Sequence, residues 1–177
     1  MTGVNSELVI DFVNSVDLRP FKEELDSPSA LSRWLSGRGL VAPGARVSRE
    51  ELSEAIRVRE AIRDLLAAQS GLEADVTAAT AELDAAARRA RIGVRFADGE
   101  SRLEPAAGGA RGAVGSVVAE VSRGMTDGTW ERMKACRADD CRWAFIDTAK
   151  NRSRAWCSMK SCGNREKVRA YRERHHH

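Results

Sequence analysis

Histidine is nearly absent from this chain: the three present form the terminal run His175-His176-His177. That run reads as the remnant of a purification tag. Without an internal imidazole no Ser-His-Asp or Cys-His arrangement can be assembled, and the side chain that titrates nearest neutrality is missing. The chain also lacks a G-x-x-x-x-G-K-[ST] phosphate loop and a G-x-G-x-x-G fingerprint behind a strand. Carboxylates are plentiful, but Glu50, Glu51 and Glu54 read as a solvated helix face and Asp139-Asp140 as a turn. The expectation is a protein that is not an enzyme. No apolar run approaches the roughly 20 residues that span a bilayer, and no lipidation motif is present. The opening Met1–Glu7 has neither the basic start nor the apolar stretch of a secretory signal, so a soluble, cytoplasmic protein is expected.

Cysteine is missing until residue 136. The four cysteines are then crowded into C-x4-C-x15-C-x4-C as Cys136, Cys141, Cys157 and Cys162. Two close pairs joined by a longer loop deliver four sulfur donors to one tetrahedral ion with little chain strain, so structural zinc is the expectation. Four thiolates also suit an iron–sulfur cluster, but no cluster spacing is present, and two disulfides would need an oxidising compartment. A module of about 45 residues cannot bury enough apolar surface to fold alone, and zinc supplies what is missing.

The run from Cys136 through Arg142-Trp143-Ala144-Phe145-Ile146-Asp147-Thr148, with Asn151, Arg154, Trp156-Cys157-Ser158-Met159 and Cys162-Gly163-Asn164-Arg165, resembles a CGNR zinc finger. The opening Leu8-Val9-Ile10-Asp11-Phe12-Val13-Asn14-Ser15 is similar to the ABATE domain that precedes this finger in a bacterial family described as stress-induced transcription regulators. Ser15 stands where that motif is expected to carry Thr. Together the two resemblances cover nearly the whole chain. The Met125-Thr126-Asp127-Gly128 turn is the expected boundary between an ABATE-like domain over residues 1–128 and a finger over 129–174, with the tag remnant at 175–177.

The fold class expected is α+β: a mixed helix and hairpin domain, then a β-hairpin knuckle with a C-terminal helix. Alternation of Leu8, Ile10 and Phe12 with Val9, Asp11 and Val13 predicts a strand over 7–14. Asp26-Ser27-Pro28 starts a short helix stopped by Gly37 and Gly39. Ser48 and Glu51 form a capping box for a long helix running to Gly71, with Glu54, Arg57, Arg63 and Asp64 on its polar face. A second helix spans about 73–91 with Val76, Leu83 and Ala87 as its apolar stripe. A hairpin turns at Asp98-Gly99, and a last helix carrying Val114, Val117, Val118 and Val121 closes near Gly124. Strands at 130–135 and 142–147 flank the first cysteine pair, and a helix follows Cys162. There the helix dipole favours the thiolate, Gly163 lets the backbone approach the sulfur and Asn164 bonds across the knuckle. Trp143, Phe145 and Trp156 are expected to fill the module's core.

Charge is segregated. From Trp130 onward Lys and Arg number 13 and Asp and Glu 6, a balance of +7 that leaves −4 for the rest of a +3 chain. A zinc tetrathiolate carries −2, which brings the finger to about +5. Arg165 is the candidate counter-charge to the site. Lys150, Arg152 and Arg154 in the loop, and Arg165, Lys167, Arg169 and Arg172 on the helix, are the candidate nucleic-acid contacts, with Arg165, Arg169 and Arg172 sharing one face. The function expected is a zinc-containing DNA-binding regulator. RNA is the nearest variant target, and an adaptor whose zinc caps a protein-docking helix is the rival. A sensor in which oxidation of the four thiols ejects zinc is a third reading. The N-terminal domain is open to a small-molecule effector, with Asp11, Asn14, Arg59 and Arg63 as polar groups paired in the core or lining a pocket, or to homodimer formation through an apolar helix face.

Overall fold

The computed structural model describes residues 5–175. Met1–Val4, part of the segment read for a secretory signal, and His176 and His177 lie outside the described residues.

The expected strand over 7–14 is a helix, α1 (Ser6–Val13). Its apolar residues satisfy two periods at once: Leu8, Val9, Phe12 and Val13 are the buried set, and they share one helical face. The Asn5 side chain accepts a hydrogen bond from the Leu8 N–H at 3.1 Å, a cap that decides between the two. A short hairpin follows, β1 (Val16–Leu18) against β2 (Phe21–Glu23). Helix α2 (Pro28–Gly37) is capped by Ser27 with proline in its first turn. Helix α3 (Arg49–Gln69) starts on the Ser48/Glu51 capping box.

Helix α4 (Val76–Ala90) begins later than expected because Asp75 caps it; Val76 is exposed, and Ala79, Leu83, Ala86 and Ala90 form the buried stripe. The hairpin β3 (Ile92–Ala97) and β4 (Glu100–Pro105) turns at Asp98-Gly99, both with positive φ, as a two-residue connection requires. Helix α5 (Gly109–Asp127) starts five residues ahead of Val114 and passes Gly124 to end on Gly128 in the left-handed conformation. A 3₁₀ turn over Thr129–Arg132 leads to β5 (Met133–Ala135), paired with β6 (Ala144–Ile146). A π-turn over Met159–Gly163 feeds α6 (Asn164–His175). Among the described residues every sheet is a two-stranded antiparallel ribbon, so the α+β class holds with helices supplying the core.

α3 is the central rod, and its surroundings explain why half of its expected polar face is not solvated. Arg59 and Arg63 are each 3% exposed and Glu54 7%. α1, α4, α5 and β5 all pack on α3, so its charged residues are buried and must be paired. Arg59 forks onto Glu23 at 2.7 and 2.8 Å, Arg63 bonds the Val13 carbonyl, and Glu54 receives Arg111 at 3.0 Å. Trp130, Met133, Ala135 and Ala144 belong to the same apolar core as α1–α5.

Candidate metal centre and basic surface

Cys136 follows β5 directly and Cys141 closes the turn before β6. The Cys136 N–H donates to the Trp143 carbonyl at 2.9 Å, and the Cys141 N–H to that of Ala138 at 3.0 Å. A third backbone bond, Arg137 N–H to the Ala155 carbonyl at 3.0 Å, ties this knuckle to the segment carrying Cys157. Cys162 comes from the π-turn. The four Sγ atoms lie within 4.8 Å of one another, with Cys141–Cys157 and Cys157–Cys162 both at 3.7 Å. A tetrahedron with metal–sulfur bonds of about 2.3 Å has edges of about 3.8 Å, so the spacing suits a sulfur-only ion site.

Cys136, Cys141 and Cys157 influence one another's titration. A hydrogen bond from Cys141 draws Cys136 down to about 5, and the same bond pushes Cys141 up. Burial, then the charge on Cys136, lifts Cys157 to about 12. Four thiolates therefore need a cation among them to share the site. Cys136 and Cys162 are buried, whereas Cys141 and Cys157 are half-exposed and line an open cleft of ≈ 580 Å³ beneath the β1–β2 hairpin.

Phe145 is buried beside the cysteines, with Trp143 and Trp156 packed against it, as expected of the small core. The groups nearest a Cβ at Gly163 are not the sulfurs of Cys136, Cys141 or Cys157. A Cβ there would meet Met159 Sδ at 2.6 Å and the Trp156 ring at 3.5 Å, so it is the Met159–Trp156 packing that needs glycine. Nor does Asn164 reach across the knuckle: its Nδ2 donates to the Lys160 carbonyl within the π-turn at 3.4 Å.

The seven candidate nucleic-acid residues fall into two groups. Arg165 lies 3.7 Å from Cys162 Sγ and 2.6 Å from Asp140, the counter-charge position expected of it. Arg169 is paired with Asp139 at 2.5 Å, Arg152 with Glu131. Arg154 is structural, stacked on Phe145 at 4.7 Å and bonded through its guanidinium to the Trp156 and Cys157 carbonyls. Among the described residues Lys150, Lys167 and Arg172 are exposed and have no ionic partner, as is Arg174 beyond them. The expected Arg165/Arg169 side of α6 thus faces the acidic knuckle.

Asp147, which was not singled out in the sequence, and Asn14, which was read only as a core or pocket group, are both essential to this geometry. Asp147 is fully buried and receives Lys134 Nζ at 2.7 Å and the N–H groups of Ala149 and Arg154 at 2.9 and 3.0 Å, which fixes the loop entering the second cysteine pair. Burial pushes its carboxyl up, but Lys134 and the two N–H groups outweigh that and hold it below the usual range. Asn14 donates from Nδ2 to the Ala144 carbonyl at 2.9 Å, and its Oδ1 accepts the Ala144 N–H at 2.8 Å, so the opening motif clamps β6. From α3, Gln69 bonds the Trp130 and Met133 carbonyls and Ser70 Oγ accepts the Ala135 N–H. Arg63 reaches the Arg142 carbonyl. Asp11 is paired with Arg38 at 3.1 Å, so Asp11, Asn14, Arg59 and Arg63 are all committed to internal partners.

Two family profiles match, in the order that this layout suggests. One, described as "Putative stress-induced transcription regulator" and named ABATE, covers residues 6–135, and the CGNR zinc finger covers 132–175. The chain belongs to the ABATE family and carries a C-terminal CGNR finger. The two matches meet on β5, the strand that Gln69 and Ser70 anchor. No curated protein matches the chain significantly. No described helix is long and apolar enough to cross a membrane.

Proposed function

We propose that the protein is a zinc-containing, non-enzymatic DNA-binding regulator of transcription, working in the cytoplasm. Cys136, Cys141, Cys157 and Cys162 hold the zinc, and the finger over 129–174 works on a platform formed by 1–128. The observation that carries this reading is α6, a helix of 12 residues with none buried, held against the four-cysteine knuckle by Arg165–Asp140 and Arg169–Asp139. A helix of that length is marginal alone in water. The knuckle therefore presents it, and its free charges Lys167, Arg172 and Arg174, with Lys150 on the loop, are available to phosphates. Arg165 and Arg169 contribute only where phosphate displaces their exposed carboxylates, which solvent-screened surface pairing holds weakly.

Fluorescence anisotropy with random and genomic DNA across a salt series tests the reading. Binding is expected to be zinc-dependent and to weaken steeply with salt, and Lys167→Ala/Arg172→Ala/Arg174→Ala should lower the log–log slope by about 2–3. Absence of binding at low salt would reject it. A second reading has its own support, because Val168 (49% exposed) and Tyr171 (57% exposed) lie on α6 one turn apart. Such a pair, flanked by bases, suits an adaptor docking on an acidic protein groove. RNA in place of DNA is separated by the same titration.

A further inference from the structure

Val94 is 61% and Phe96 81% exposed, on the outer strand of a two-stranded ribbon. Side chains of this size seldom stand in water together without a partner. Strand β4 packs along α5 and ends in Pro105, which has no N–H to offer a further strand. Strand β3 is different, with no proline and one charge, Arg95; it lacks the usual protection of an exposed edge.

The phase of the hairpin fixes which groups this edge presents. Across a two-residue turn Ala97 and Glu100 exchange backbone bonds, so the odd-numbered residues of β3 bond to β4. The Ala106 N–H donating to the Arg91 carbonyl at 3.2 Å continues the same phase. Ile92, Val94 and Phe96 therefore turn their N–H and C=O groups outward. Their side chains also share the apolar face with Leu103 and Pro105.

We propose that β3 is the homodimer edge of this protein, pairing antiparallel with β3 of a second copy about a two-fold axis through Val94. Centring on Val94 sets Val94 opposite Val94 and Ile92 opposite the second copy's Phe96, so that outward N–H groups meet outward carbonyls and the apolar faces join. Arg95 then falls opposite Gly93. Centring one residue on would place Arg95 against Arg95, a like-charge pair that opposes association. On the polar face Gly93 leaves a gap, through which Arg95 reaches the second copy's Glu104; within one copy Arg95 and Glu104 already lie 3.3 Å apart. In this register the charge pattern is self-complementary. Two ribbons become one four-stranded sheet, and its joined apolar face covers the open cleft of ≈ 550 Å³ between the hairpin and α5.

Sedimentation velocity on the full zinc-loaded chain, across a wide micromolar range, tests this independently of nucleic-acid binding. The wild type should sediment with twice the chain mass. Val94→Lys and Val94→Glu should each be monomeric with unchanged circular dichroism, because Val94 supports no core, and an equimolar mixture of the two should sediment as a dimer. Amide exchange at Val94 and Phe96 should be slow in the wild type and fast in either variant. A monomeric wild type, variants that remain dimeric, or a mixture that stays monomeric would each overturn the proposal.

Discussion

At the scale of single residues, the cysteines and Asn14 have unequal legibility. Four cysteines in two equal spacings can be read directly, since the chemistry of the donor is the residue itself. Cys157 is within 3.7 Å of both Cys141 and Cys162, so Cys157→Ser removes the sulfur that links the two pairs. Metal analysis should show loss of most bound zinc, and a full complement of metal would contradict the site. Asn14 is a polar residue at the end of an apolar run, and nothing in its neighbours shows that its partner lies 130 positions away at Ala144. Asn14→Ala leaves a backbone N–H and carbonyl of β6 without their partner, a loss of about 1–3 kcal/mol. Thermal melts should register it, with metal content unchanged. The basic residues were harder still. Composition marks Arg165 and Arg169 as cations but does not show that Asp139 and Asp140 stand against them, because that contact depends on how the π-turn aims α6.

At the scale of elements, caps and turns were the dependable signals. Ser48 with Glu51, Ser27 with Pro28, and Asp98-Gly99 each act on backbone groups a few residues away, so their sequence is nearly their structure. The α1 segment misled because five apolar residues in six positions satisfy helix and strand periods together, and the cap at Asn5 is the only local arbiter. α3 misled for another reason: a rod packed on several sides has no solvated face for its charges. Small residues let α4 and α5 approach closely. A Cβ on Gly115 would sit 2.4 Å from Ala90 Cβ and 3.1 Å from Pro105 Cβ. Gly115→Ala should therefore destabilise by about 1–3 kcal/mol, read as a lowered denaturant midpoint. α6 is the opposite case, with no buried side chain to hold it. Chelation should abolish amide protection across 136–175 while peptides from α3, α4 and α5 keep theirs; uniform loss of protection would mean that the metal stabilises the whole core.

At the scale of the molecule, the finger is seated on the N-terminal helices through β5 and β6, so ionisable groups on both sides of that seam set the conditions for folding. Glu23 and Asp147 are the carboxylates concerned. Burial pushes Glu23 up, but hydrogen bonds from Arg59 and the Leu25 N–H outweigh it and hold its pKa low. Asp147 is held low in the same sense, by Lys134 and the loop N–H groups against burial. Each group takes up a proton less readily folded than unfolded. The stability they lend is therefore complete above the unfolded carboxylate value of about 4 and is lost as pH falls through the lower folded values. The melting temperature should be level between about pH 7 and 5 and fall below about pH 4. Acid also protonates thiolates and releases zinc, which would produce a similar limb. Glu23 separates the two causes, because its partners Arg59 and Leu25 belong to the N-terminal helices and connecting chain, remote from the sulfurs in sequence. Glu23→Gln should lower the melting temperature at neutral pH and make the acid limb shallower, with zinc retention against pH unchanged. An acid limb that is identical in Glu23→Gln would assign acid unfolding to the metal site.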